Sequence, residues 1–311
     1  MKTVLYVNHG ITKACGVYDL GLRHFMSIRE IENYNMIYAE LNDIHSFFNI
    51  CQEHKPGAII FNYMDVTLPW VNEEVNKYKC VKFCIPHLFS KNNLDTFRND
   101  SIFDYYIILD KFSPENNRCF KTDRPLTAYH NSISQKNAIP TIGSFGFALG
   151  HKFFDKIASH INSCFDKAII NFHMPKAHFD AVNETGNVIR SCYAAINKPG
   201  IQLNVTTDFL SEYEVVDKLN KNDINCLFYE AEKDVGISSS LDYLVSAQKP
   251  VLITASNMFR SFAPELPIYP ETTLTEIYNN FEGYQEQINN TYKNSANNIK
   301  NQTKLILDRN I

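Results

Sequence analysis

The sequence predicts an α/β protein made of two doubly wound parallel sheets, and three observations carry that reading. Short apolar runs, the pattern of strands buried on both faces, alternate with helical patterns of about ten residues. This alternation occurs twice, interrupted at 131–138 by a polar stretch without periodicity. Several strand patterns also end in polar or glycine-bearing loops, where parallel sheets bind their ligands.

The first run, Thr3–Val7, leads through Asn8, His9 and Gly10 into a loop with Gly16, then a helix reaching Glu32. The loop lacks the Gly-x-Gly-x-x-Gly fingerprint of dinucleotide binding. Strands follow at Asn35–Tyr38, Pro56–Phe61, Val81–Ile85 and Tyr105–Leu109, and Leu126–His130 reads as a last strand of this half. Helices are expected over Asp43–Glu53 and from Leu68-Pro69-Trp70, where a proline suits a first turn. Strand carboxyl ends would then place Asn8, Gly16, Tyr63, His87 and Asp110 on one rim.

The second series opens with a strand at Thr141 and a loop spaced by Gly143, Gly146 and Gly150. A helix over 152–163 follows, then strand Lys167–Phe172 ending at His173, and a helix over Ala177–Ala195. Strand Gly200–Val205 and helix Ser211–Leu219 come next. The apolar run Ile224–Phe228 then gives way to a charged loop, Glu230–Gly236. Ser238, Ser239 and Ser240 open a helix with Leu241, Leu244, Val245 and Ala247 inward, and Val251–Thr254 is the strand after it. From Thr273 onward, Leu274, Ile277, Phe281, Tyr284 and Ile288 at helical spacing predict one or two amphipathic helices. The expected domains are 1–134, 135–270 and a helical tail, 271–311, crossing back to the first, with a cleft between the two sheets.

The totals exclude several classes. With 311 residues, 44% hydrophobic and 21% charged, the chain has an ordinary globular composition and room for two domains. A net charge of -4 gives no support to nucleic-acid binding. Eight scattered cysteines without a Cys-x-x-Cys pair argue against zinc and fit a reducing cytoplasm. No stretch approaches the ~20 apolar residues of a membrane helix. A soluble cytoplasmic protein is expected, and peripheral membrane contact is compatible with these totals.

The chemistry concentrates after Ile224–Phe228. Glu230 and Glu232 form a carboxylate pair, Gly236 permits close backbone approach, and the helix start at Ser238–Ser240 offers N–H groups and hydroxyls. Such a start either binds a phosphate or is simply a serine-capped helix. The residues alone leave both open.

Strand, acidic glycine-closed loop, small-residue helix start, then Lys249-Pro250-Val251 and an apolar strand resemble the donor site of GT-B glycosyltransferases, two Rossmann-like domains facing across a cleft. The resemblance is closest to the retaining, Glu…Glu-motif group (group 1, family 4-like). It implies that Lys152 grips the diphosphate of a nucleotide sugar beside Ser238, Ser239 and Ser240. Where the family pattern carries an arginine, this chain has Ser144. Glu230 and Glu232 fall where the family's first Glu falls, and Asp242 lies near the second. Gly16 with Asp19 resembles the glycine loop facing donor phosphate and acceptor, His87 the histidine near the transferred sugar, and His173 would line the nucleotide side. Taken singly, each histidine also reads as a loop residue bonded to backbone, and Lys152 as a solvated surface lysine. No Asp-x-Asp occurs, so catalysis without a metal or other cofactor is expected.

The activity implied is transfer of a sugar to a hydroxyl of a glycan or lipid-linked acceptor, by analogy in surface-polysaccharide synthesis. Retention and inversion stay open; an inverting enzyme would need a base such as Asp19, His87 or Asp110. A nucleotide-sugar epimerase and a non-catalytic nucleotide-sugar binder or subunit are the alternatives.

Overall fold

In the computed structural model, residues 1–11, 16–87, 101–129, 135–176, 183–231 and 236–311 are described. The chain divides into two compact units, one of Met1–Pro125, Asp234–Ile237 and Asn294–Ile311, the other of Leu126–Lys233 and Ser238–Lys293.

The first unit carries a six-stranded parallel sheet, β1 (Lys2–His9), β2 (Tyr34–Leu41), β3 (Ala58–Tyr63), β4 (Val81–Pro86), β5 (Tyr105–Ile108) and β6 (Cys119–Lys121), in the order β2-β1-β3-β4-β5-β6. Helices α1 (Gly16–Ile28) and α2 (Ile44–His54) connect its first strands. Asp43 caps α2 by accepting from the Ser46 N–H at 2.8 Å. Apolar side chains fill both faces, Leu5, Phe47 and Phe61 on one side and Val4, Tyr6 and Phe83 on the other.

Two expectations fail here. No helix grows from Leu68, because Pro69 has no N–H to extend the turn begun at Met64, and Asn72 instead caps a separate short turn over Glu73–Lys77. Leu126–Tyr129 is not a strand. Its backbone is served by side chains: the Thr127 N–H donates to Ser246, Tyr129 N–H to the Tyr292 hydroxyl, and Gln248 to the Tyr129 carbonyl. The last strand is β6, three residues long and too short to show a pattern.

The second unit repeats the theme with β7 (Thr141–Phe145), β8 (Ala168–His173), β9 (Ile201–Thr206), β10 (Ile224–Leu227), β11 (Val251–Thr254) and β12 (Ile268–Tyr269), ordered β12-β11-β10-β7-β8-β9 and parallel throughout. Its helices are α3 (Phe154–Cys164), α4 (Glu184–Ala194), α5 (Glu212–Asn220), α6 (Ser239–Ser246) and α7 (Leu274–Asn279). A reciprocal Ser211–Glu214 capping box opens α5.

Of the long helix α8 (Phe281–Asn310), residues up to Lys293 belong to the second unit and the rest to the first. There Ile306 and Leu307 join the Val4 and Tyr6 core, and Tyr34 donates to Asp308 at 2.9 Å. Among the described residues no helix is long and apolar enough to cross a membrane.

Candidate functional site

Reversal of strand order fixes where each sheet can hold a ligand. In the second unit the chain runs outward in opposite directions from β7 and β10, so the loops after these two strands diverge and leave a crevice at their carboxyl ends. Four residues converge there.

Gly146, just past β7, has φ +140°, a conformation side-chain-bearing residues rarely adopt. A Cβ added to it would stand 3.0 Å from the Ser240 hydroxyl, 3.2 Å from the Lys152 ammonium and 3.7 Å from the Tyr229 hydroxyl. The absence of a side chain at Gly146 therefore opens a small space lined by an ammonium and two hydroxyls. Lys152 ends the short turn Gly150–Lys152 and is only 9% exposed. Its ammonium lies 5.2 Å from the Tyr229 ring and 5.9 Å from that of Phe147, and no carboxylate pairs with it among the described residues. A desolvated cation flanked by rings and hydroxyls is short of one thing, an anion.

The helix start completes the cradle. Ser238 does not cap α6 with its side chain; its hydroxyl donates instead to Tyr229 at 3.3 Å. The first N–H groups of α6, with the positive end of its dipole, thus lack a side-chain cap. Of the two readings open from sequence, the serine-capped helix is the one this arrangement sets aside. Glu230 is exposed; its N–H donates to the His151 carbonyl at 3.0 Å and its own carbonyl accepts from Ser256 at 2.9 Å, tying the loop after β10 to the turn that carries Lys152. Ser239 and Gly236 are half-buried. Glu232 lies outside the described residues. Asp242 is fully buried inside α6, not placed to meet a ligand. Ser144, at the position where an arginine was expected, is buried and donates to the Cys226 carbonyl at 2.7 Å.

The His173 ring stacks on Phe145 at 5.7 Å and its Nδ1 meets the Thr206 hydroxyl at 2.8 Å. Burial, with Lys218 nearby, lowers its pKa to about 4.

In the first unit the reversal falls between β1 and β3. Two buried asparagines mark it. Asn8 accepts from Asn62 at 2.9 Å and donates to the Tyr18 carbonyl, and Asn62 donates to the Val17 carbonyl at 2.8 Å. The Asn62 carbonyl oxygen receives His87 Nε2 at 2.7 Å. That oxygen can only accept, so Nε2 carries the hydrogen and Nδ1 keeps its lone pair. Burial, then Arg124 and His9, lower the His87 pKa to about 3, which keeps the ring neutral. Gly21 of α1 lets the helix lie directly on these amides, since a Cβ there would fall on Asn62.

Asp19 lies half-buried in the first turn of α1, and Gly16 begins that helix. Asp110 is no free base: its carboxylate accepts from Ser113 at 2.7 Å and from the Phe112 N–H at 3.1 Å. Tyr63 packs against Phe103. Sequence marks Gly146 only as one glycine of a spaced loop and assigns no role to Tyr229 or Asn62. A glycine directly after a strand and an asparagine inside an apolar run were the available signals.

No family model and no curated protein matches the sequence. Solved structures do match its fold. HepE of Anabaena, in complex with UDP and glucose, superposes with a TM-score of 0.65 at 9% identity, covering 99% of this chain and 100% of that one. A glycosyltransferase from Rickettsia africae gives 0.64 at 9% identity, over 99% and 97% of the two chains. An E. coli structure described as trehalose-6-phosphate, bound with UDP-2-fluoro glucose, gives 0.62 at 8% identity, over 99% and 98%. Two parallel six-stranded sheets in these orders are the fold of the GT-B glycosyltransferases, as the sequence led us to expect.

Proposed function

We propose that the protein transfers a sugar from a nucleoside-diphosphate sugar to an acceptor hydroxyl. The observation that carries this is the cradle at the β7/β10 reversal, a buried Lys152 without an ion pair among the described residues, beside Ser240 and a helix start with no side-chain cap, opened by Gly146.

The chemistry asks for this arrangement. As the glycosidic bond breaks, the sugar turns oxocarbenium-like and the departing diphosphate gathers negative charge. Lys152 and the α6 N–H groups are preorganised to receive that charge, lowering the barrier without a metal ion. UDP is the diphosphate we favour, because HepE and the E. coli protein were solved with UDP or a UDP-sugar. To His87, with its unshared Nδ1 electron pair, we assign the acceptor hydroxyl. Glu230 and Glu232 we assign to hydroxyls of the donor. A glycan or lipid-linked acceptor at the cytoplasmic side of a membrane, in surface-polysaccharide synthesis, fits this assignment.

Ser144 favours a second reading. Buried and bonded to Cys226, it cannot supply the second cation expected there, and a nucleotide-sugar binder without turnover could do with Lys152 alone. Release of UDP from a panel of UDP-sugars, with and without acceptor oligosaccharides, decides between them. Turnover abolished by Lys152→Met supports transfer; UDP-sugar binding without any turnover supports the binder; absence of both overturns the proposal.

A further inference from the structure

The second sheet has a polar face that sugar transfer leaves unused. Along β8 and β9 alternate side chains point to one side: Asn171 and His173 from β8, Gln202, Asn204 and Thr206 from the edge strand. Between these strands and the α5 segment lies a cavity of about 230 Å³.

The amides form a chain with a direction. Gln202 donates to Asn204, Asn204 to Asn171 and Asn171 to Asn222, each at 3.0 Å; Asn222 donates to Asn225 at 2.9 Å, and Asn225 to the Leu219 carbonyl at 3.0 Å. The side-chain carbonyls of Asn204, Asn171, Asn222 and Asn225 therefore each accept one bond, while each amide has a second N–H beyond the one it gives to its neighbour. Asn171, Asn204 and Asn222 can each therefore still offer an N–H donor at the cavity wall.

Lys218 and Lys221 line the same cavity. Lys221 is paired with Asp217 at 2.6 Å; Lys218 makes no ion pair among the described residues. His173 is 5% exposed, and its Nε2 is buried without a partner. Its other ring nitrogen, Nδ1, meets the Thr206 hydroxyl at 2.8 Å. A buried, unmet polar atom is costly, and the residue that carries it lines the cavity.

We propose that this cavity is a second ligand site, separate from the Lys152 cradle, which takes the oxyanion of a small molecule, a phosphate or a carboxylate. Donors from Asn171 and Asn204 and the Lys218 ammonium would hold it, beside the His173 ring in the cavity wall. The volume lies below the ~300–1,000 Å³ of drug-sized ligand sites, so the ligand is an inorganic anion or a sugar-sized molecule bearing one.

The test follows the His173 Cε1–H resonance in the full-length protein during titration with orthophosphate and, separately, glucuronate. Lys218→Glu and Lys152→Gln are run alongside. A saturable shift with orthophosphate identifies phosphate as the anion, and one with glucuronate alone identifies a sugar carboxylate. In either case Lys218→Glu should weaken binding by about tenfold or more, and Lys152→Gln should leave it unchanged. A shift that is absent or never saturates overturns the site. So does one lost in Lys152→Gln but kept in Lys218→Glu, since it would report the cradle through Phe145. UDP binding, read independently by its sensitivity to Lys152→Gln, can fail while the His173 response stands, which keeps the two proposals distinguishable.

Discussion

Replacing Lys152 by methionine separates what this residue costs the empty protein from what it contributes to a ligand. Its ammonium is desolvated, without a carboxylate among the described residues, and flanked by the Tyr229 and Phe147 rings at 5.2 and 5.9 Å. Cation–π contacts recover about 0.5–2 kcal/mol each, less than the several kcal/mol lost on burying an ion. Methionine keeps an unbranched stem, places sulfur against the same rings and removes the charge. The unliganded variant should hold its stability or gain about 1 kcal/mol, a rise in Tm of about 2–4 °C. With UDP the sign reverses. Losing charge-assisted hydrogen bonds of about 1.5–3 kcal/mol weakens binding by about ten- to a hundredfold. At a UDP concentration of about 100 Kd the wild type gains about 2.7 kcal/mol, and a variant binding tenfold more weakly gains about half that. Thermal unfolding with and without UDP reads both quantities. A variant that loses about 2 kcal/mol or more when empty, yet binds UDP as the wild type does, would refute the reasoning and make Lys152 a packing residue.

Other consequences are as direct. Gly146→Ala sets a methyl 3.0 Å from the Ser240 hydroxyl and 3.2 Å from the Lys152 ammonium in a strained φ, so calorimetry should find UDP affinity down by at least about tenfold together with a lowered Tm. His87→Gln should leave UDP affinity unchanged and slow steady-state transfer by about tenfold or more, because the role proposed for the ring is at the acceptor hydroxyl and not at the diphosphate. Burial lowers the pKa of His24 and His87 to about 3 and of His173 to about 4, below the free imidazole value, so the unfolded chain binds more protons between pH about 6.5 and 4. Stability from these groups is present above that window and lost as pH falls through it, by up to about 1.4 kcal/mol per pH unit for each, which urea midpoints measured from pH 7 downward should follow. Ser211→Ala removes the α5 capping box and should cost about 1 kcal/mol in the same unfolding assay.

How legible the molecule was depended on the range of the interaction. Parallel strands buried on both faces write themselves as apolar runs, so β1, β3, β4, β8, β10 and β11 fall within a residue or two of their predicted places. Local caps were equally readable at Ser211 and Asp43. Cys119–Lys121 carried no period because three residues cannot, and Leu126–Tyr129 imitated a strand because Leu126 and Tyr129 are buried while distant side chains serve its backbone. For the site, the helix start and Lys152 stood out by sequence, since charge and small residues cluster there. That Ser238 would turn to Tyr229, that Gly146 would open the cradle, and that Asn62 would hold His87 depend on strand order, which no local window contains.

The measurement that bears most directly on the account is a calorimetric titration of the purified protein with UDP, repeated with GDP, ADP, CMP and dTDP. Saturable binding of one diphosphate at one site per chain, weakened by about tenfold or more in Lys152→Met, is the predicted result. Failure of every nucleotide to bind a folded protein would contradict the claim that the cradle at Gly146, Lys152 and Ser240 holds the donor.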